Sequence, residues 1–269
     1  MATVRHPAVA GRFYPARPEA LLRDINSYLA VSGEKVSAVG CVSPHAGYMY
    51  SGHVAGAVFA RLELPARFII LCPNHTGMGK PLAIMSEGIW ETPLGQAKID
   101  AEIASELSQH YSKLSEDDEA HRAEHALEVQ LPFLQALRPE FTFVPIAVGV
   151  SSYEALAVLG EAVAAVVSAH NEKVLIIASS DMNHYESDAV TRIKDQKAID
   201  KILALDPKGL YDVVIDEDIS MCGYGPTVAM LTAAKALGAR SAELVKYATS
   251  GDVSGERDMV VGYAGMIVQ

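Results

Sequence analysis

Side chains able to bind metal or transfer protons follow directly after three apolar runs of this sequence. His45 follows the first run and His75 the second, while Asp181 and His184 follow a third. In open α/β sheets the carboxyl ends of the strands line one crevice, and ligands bind there. Neutral imidazole nitrogen and carboxylate oxygen are ligands that iron, copper and zinc accept. One histidine after a strand is commonly only a hydrogen-bonded turn residue, but three such strand ends together predict a metal or catalytic site.

Cys222 adds a thiol to these candidates. It directly precedes a predicted helix over 227–237, with Pro226 suited to the first helical turn. A thiol near a helix N-terminus is expected to have a lowered pKa, and the thiolate is the metal-binding and nucleophilic form. The alternative is a small buried residue in a glycine-rich turn. Cys41 and Cys72 lie inside apolar runs and are expected in the core.

A competing motif spans His121 to His125. With Glu124 before the second histidine, it matches H-x-x-E-H, the inverted zinc-peptidase pattern, in which both histidines lie on one helix. That zinc site would need a further carboxylate ligand downstream. A pattern of five residues also arises easily by chance, so the peptidase remains a minor alternative.

The elements that must position these residues alternate between strand and helix. Apolar runs without polar alternation are typical of strands buried on both faces, and helix-length amphipathic stretches separate several of them. This order predicts a three-layer αβα fold with a largely parallel or mixed central sheet, as one domain over 1–269, with two domains as the alternative. The predicted strands are 39–44, 68–72, 81–85, 141–148, 174–178 and 259–263, and the predicted helices are 19–30, 52–62, 101–111, 124–137, 153–170 and 227–237.

Composition excludes several classes of function. The chain has 269 residues, 50% of them apolar, and a formal net charge of −11. Such a charge argues against a broad nucleic-acid surface and against docking on anionic membrane. We find no run of about 20 apolar residues for a membrane helix and no signal-peptide core. Three cysteines without a CxxC pair suit a reducing compartment, so a cytoplasmic location is expected.

Ordered motifs along nearly the whole chain resemble the Memo family, whose bacterial and archaeal members are called AmmeMemoRadiSam system protein B. The motifs lie at 7–15, 44–52, 73–77, 90–95, 124–133, 179–185, 222–226 and 249–252. The resemblance implies a fold like that of the class III, LigB-like extradiol dioxygenases. It also implies iron or copper held by His45, His75 and Cys222, with Asp181 and His184 beside them and His125 in the pocket.

The resemblance leaves more than one function open. As an enzyme, the chain would be a metal-dependent, dioxygenase-like oxidoreductase acting on a small, phenolic substrate. His184 or His125 would carry protons, and Asp181 would orient a histidine or bind metal. Oxygenase sites favour two histidines and a carboxylate, so a thiolate from Cys222 puts ring cleavage in question. The alternative is a non-enzymatic metal-binding or phosphopeptide-binding adaptor. The system name also implies radical-SAM and AMMECR-type partner proteins.

Overall fold

A computed structural model describes residues 3–30 and 33–269. The strands are β1 (Val4–Arg5), β2 (Gly40–Ser43), β3 (Arg67–Pro73), β4 (Leu82–Ile84), β5 (Ile89–Thr92), β6 (Gly95–Ile99), β7 (Ser115–Glu116), β8 (Thr142–Val148), β9 (Val174–Ser179), β10 (His184–Glu186), β11 (Ala242–Thr249) and β12 (Val260–Val268). The helices are α1 (Pro18–Leu29), α2 (Tyr48–Arg61), α3 (Ala101–His110), α4 (Glu119–Arg122), α5 (Leu131–Leu137), α6 (Tyr153–Ala169), α7 (Asp188–Leu203), α8 (Pro207–Asp216), α9 (Tyr224–Ala236) and α10 (Ser250–Ser254), with a 3-10 turn at Glu128–Gln130.

One mixed sheet forms the middle layer. Its strands follow the order β1-β5-β6-β8-β3-β9-β2-β12-β10, with β11 also on β12 and β4 joining β8 to β7. The central four, β8, β3, β9 and β2, are parallel. Helices α3, α6, α8 and α9 pack on one face, and α1, α2 and α5 pack on the other. The predicted three-layer α/β architecture is confirmed.

Strand β3 shows why the sheet is covered on both sides. Phe68, Ile70 and Cys72 belong to the core on one face, whereas Ile69 and Leu71 belong to the core on the other. All five are fully buried. Alternate side chains of a strand point to opposite faces, so an uninterrupted apolar run must be covered twice.

The sheet places the predicted strand ends next to one another. Strand β9 lies between β2 and β3 and is parallel to both. Ser43, at the end of β2, is aligned with Ser179, at the end of β9. The segments after β2, β3 and β9 therefore leave the same edge of the sheet, as the sequence predicted. Over the described residues, no helix combines the length and apolar character that a bilayer crossing requires.

One predicted helix is wrong over half its length. Residues 124–137 were expected to be helical, but the segment turns irregularly before the 3-10 turn, and only α5 is α-helical. The carboxylate of Glu124 explains the difference, because it accepts hydrogen bonds from the backbone N–H groups of His75 and Ala126. A side chain that binds nearby backbone competes with helix formation. The sequence also left the β5–β6 hairpin, β11, α7 and α8 unpredicted.

Candidate metal centre

A cleft of about 650 Å³ opens at the carboxyl edge of the central strands. Its wall contains every residue that the sequence singled out for metal binding or proton transfer outside the H-x-x-E-H motif. The lining residues are Phe13, His45, Ala46, Gly47, His75, His125, Asp181, His184, Tyr185, Ser220, Cys222 and Val261.

The His45 ring is oriented by a buried hydrogen-bond network at the end of β9. Its Nδ1 lies 2.9 Å from the Ser179 hydroxyl oxygen. That hydroxyl donates its one proton to the Ala126 carbonyl (2.6 Å) and also accepts from the Gln130 amide (2.9 Å). The Ser179 oxygen can therefore only accept from His45, which places the proton on Nδ1 and leaves Nε2 as an acceptor.

Glu124 contacts two further histidines of the cleft, His75 and His125. Its Oε1 lies 2.9 Å from His75 Nδ1 and 3.3 Å from His125 Nδ1. Burial acts to raise the pKa of this carboxyl, but the hydrogen bond and charge of His75 outweigh it and lower the pKa. An ionised carboxylate only accepts hydrogen bonds, so Nδ1 of His75 carries the proton.

His184 is held from the other side of the cleft. Its Nδ1 donates to the Ser220 carbonyl (2.8 Å), since a carbonyl can only accept. Its backbone N–H donates to the Ser220 hydroxyl. Burial lowers the pKa of His184, so the ring is neutral near pH 7.

Asp181 supports the loop that carries His45. One carboxylate oxygen accepts the backbone N–H of His45 at 2.7 Å, and the N–H of Ala46 also binds this carboxyl. Burial raises the pKa of Asp181 to about 7, although both hydrogen bonds act against this rise.

Three of these histidines converge on one point. One ring nitrogen each of His45, His75 and His125 lies within 4.8 Å of the other two. Burial, followed by the neighbouring histidines, lowers the pKa of His45 well below its usual value, and burial also lowers that of His125. Metals bind the neutral ring, and ligating histidines usually donate their other N–H to an oxygen acceptor. An oxygen atom beside Nδ1 of each ring, together with the convergence of one nitrogen from each, fits a transition-metal ion.

Cys222 lies beside this cluster. Its sulfur is 3.1 Å from His45 Nε2 and 3.7 Å from the Asp181 carbonyl oxygen, directly before the N-terminal end of α9. The three-histidine group does not include it, so the predicted ligand set of His45, His75 and Cys222 stays a prediction. The expected low pKa is wrong: burial, followed by the charge of Asp181, raises the pKa of the thiol well above its usual value. Desolvation outweighs the short-range effect of the helix terminus.

The H-x-x-E-H motif does not have the geometry of a zinc-peptidase helix. Helix α4 ends at Arg122, so His121 and His125 do not lie one turn apart on a single helix. His125 lines the cleft, whereas His121 is fully buried outside the lining, with its ring 5.7 Å from that of Trp90. Only the second half of the motif, Glu124 and His125, belongs to the site.

Several residues that shape the site had no role in the sequence interpretation, or, for Glu124, a role only in the peptidase motif. Ser179, Ser220 and Glu124 orient the histidines, and Phe13 packs its ring 4.6 Å from His125. Phe13, Glu124 and Ser179 do lie within motifs that the sequence had marked. Ser220 carried no signal beyond its position before Cys222.

The chain also matches known proteins over nearly its whole length. The family profile described as Memo-like protein matches residues 5–267. A MEMO1 family protein of Methanothermobacter thermautotrophicus is 41% identical, covering 97% of this chain and 99% of the relative. A MEMO1 family protein of Methanosarcina mazei is 44% identical, covering 99% of both chains. The crystal structure of an uncharacterized protein from Escherichia coli K12 shares the fold, with a TM-score of 0.58, 13% identity, and coverage of 85% of this chain and 98% of that one. The chain belongs to the Memo family.

Proposed function

We propose that this protein is a metal-dependent oxidoreductase that holds iron or copper in its cleft and acts on a small substrate. One observation carries the proposal. One ring nitrogen each of His45, His75 and His125 lies within 4.8 Å of the other two, and an oxygen atom lies 2.9–3.3 Å from Nδ1 of each ring. Histidine clusters that merely complete a hydrogen-bond network do not need to leave a ring nitrogen of each member facing the others.

His45 and His75 belong to both ligand sets that we consider. The third ligand is either Cys222, as the family resemblance implies, or His125, as the spacing of the rings favours. Imidazole suits iron and copper alike, whereas a thiolate favours copper(I). A bound cation would favour the thiolate of Cys222 over the thiol, against the effect of burial. The third ligand therefore bears on which metal the cleft prefers.

The chain's own residues supply proton transfer and shelter from water. A bound iron or copper ion would supply one-electron redox chemistry. His184 is neutral near pH 7 and has Nδ1 committed to Ser220, so Nε2 is the atom that accepts a substrate proton and later returns it. Phe13, Tyr185 and Val261 give the cleft apolar walls, which favour a substrate with an apolar body.

The alternative of a phosphopeptide-binding module has less support. Phosphate sites usually contain a guanidinium or an ammonium. Among the described residues that line the cleft, none is Arg or Lys. The radical-SAM and AMMECR-type partners implied by the resemblance stay predictions.

The proposal is tested by anaerobic titration with Fe(II) and with Cu(I), followed by oxygen uptake against a panel of catechols. Wild-type protein should bind one ion per chain, and His110→Gln, which alters an exposed histidine outside the cleft, should match it. Cys222→Ser should weaken Cu(I) most if the thiolate is the third ligand, whereas His125→Gln should weaken both metals if the imidazole is. Binding of neither metal would refute the proposal. Metal binding without substrate-dependent oxygen uptake would reduce it to a metal-binding module.

A further inference from the structure

We propose that Glu124 is the positioning residue of this metal centre: one buried carboxylate fixes the His75 and His125 rings so that both present Nε2 to the cleft. The inference rests on the proposed function and assigns a role to the half of the H-x-x-E-H motif that the peptidase interpretation leaves unexplained.

The contacts of Glu124 fix the His75 ring relative to its own backbone. Oε2 accepts the backbone N–H of His75 at 2.6 Å, and Oε1 accepts Nδ1 of the same residue at 2.9 Å. Two bonds from one rigid, planar group restrain both side-chain torsions of His75. Ala126 N–H donates to Oε1 at 2.9 Å and holds the carboxylate in place.

Oε1 of Glu124 also lies close to the His125 ring. Nδ1 of His125 lies 3.3 Å from Oε1, and its ring stacks on His75 at 4.7 Å with an interplanar angle of 22°. Phe13 packs against His125 from another direction. The two rings are therefore restrained as a pair, and a shift of the Glu124 carboxylate would change the orientation of both.

The charge of Glu124 is directed at the histidines. The residue is fully buried, and a buried carboxylate requires compensation. Across residues 3–30 and 33–269, its carboxylate lies within 3.3 Å of Nδ1 of both His75 and His125 and forms no ion pair with Arg or Lys. Arg5 lies close by, but it donates to the backbone oxygen of Glu124 and pairs its guanidinium with Glu128 instead.

Glu128 supplies a matched control, because it is equally buried and lies only four residues further on. Its carboxylate accepts hydrogen bonds from Arg5, from the Tyr14 hydroxyl and from the backbone N–H groups of Ala8 and Val9. Within the described part of the chain it bonds to no histidine. Loss of Glu128 should loosen the N-terminal segment but leave the hydrogen bonds between Glu124 and His75 in place.

The test compares Glu124→Gln with Glu128→Gln by two measurements. Long-range proton–nitrogen NMR of metal-free protein reports which ring nitrogen is protonated. Fe(II) titration against a competing chelator reports affinity.

We expect Nδ1–H forms of His75 and His125 in wild type. In Glu124→Gln the single remaining acceptor cannot serve both the backbone and the ring of His75, so the Nε2–H form should appear and Fe(II) should bind about 10–100-fold more weakly. Glu128→Gln should keep the Nδ1–H form of His75 and change the Fe(II) affinity by less than about threefold, a smaller loss than that expected for Glu124→Gln.

Three results would overturn the inference: Nε2–H rings in wild type, unchanged affinity and tautomers in Glu124→Gln, or an equal loss in Glu128→Gln. Should Glu124→Gln fail to fold, the wild-type spectrum still decides. If wild type binds neither Fe(II) nor Cu(I) yet shows Nδ1–H rings, the proposed function fails separately, and the metal role of Glu124 falls with it.

Discussion

Replacement of Ser179 by Ala removes a single oxygen atom and tests how the His45 ring is held in the cluster of His45, His75 and His125. The hydroxyl of Ser179 accepts from His45 and Gln130 and donates to the Ala126 carbonyl. All four residues are buried. Each of these three hydrogen bonds contributes about 0.5–1.5 kcal/mol net, so Ser179→Ala should lower the free energy of unfolding by about 2–4 kcal/mol. Freed from its acceptor, the His45 ring should also lose its fixed tautomer, weakening metal binding about 10–100-fold.

Ser43 provides the control for this prediction. It is aligned with Ser179 on the neighbouring strand and is equally buried, but its hydroxyl donates only to the Gln130 side chain. Ser43→Ala should therefore cost about 1 kcal/mol and leave metal affinity nearly unchanged. Urea unfolding and Fe(II) titration of both variants are the assays. The reasoning is refuted if Ser179→Ala binds metal as tightly as wild type, or if both variants lose affinity equally.

Three further predictions follow from burial and close approach. Cys222, whose pKa is raised by burial, should react with iodoacetamide at pH 7.5 more slowly than a free cysteine, and fast alkylation would contradict this. Burial also raises the pKa of Asp195 to about 7, above its unfolded value of 3.8, so its contribution to stability is complete below pH 3.8, falls as the pH rises and is lost above about pH 7. The stability of wild type relative to Asp195→Asn should thus fall by about 2–3 kcal/mol between pH 5 and pH 8, and an equal difference in urea unfolding at both would refute the assignment. A Cβ at Gly223 would lie 2.3 Å from the Ser179 carbonyl oxygen, whereas one at Gly47 would meet nothing closer than 3.7 Å. In thermal unfolding, Gly223→Ala should destabilise by more than about 3 kcal/mol and Gly47→Ala by less than about 1 kcal/mol; similar losses would contradict the packing argument.

The strand ends could be predicted because burial on both faces leaves a plain signal in the sequence. His45 and His75 follow strands that are buried almost throughout, and parallel neighbours bring their carboxyl ends to one edge. The position of each residue along the chain was then enough to place it in the cleft.

His125 could not be placed in the same way. Its segment has helical periodicity, but tertiary hydrogen bonds from Glu124 to the backbone of His75 and Ala126 hold it in a turn. The thiol pKa of Cys222 was missed for a related reason. Its position before α9 is visible in the sequence, whereas the burial that dominates its pKa depends on residues far away in the chain.

The central claim, that the cleft binds a metal ion through His45 and His75, is tested most directly by counting metal. Wild-type protein and a His45→Ala/His75→Ala variant are incubated anaerobically with excess Fe(II), or separately with Cu(I), then desalted and measured by elemental analysis. Circular dichroism checks that the variant stays folded. We predict close to one ion per wild-type chain with at least one of the two metals, and almost none in the variant. A folded variant that retains a full ion per chain would contradict the assignment of both ligands.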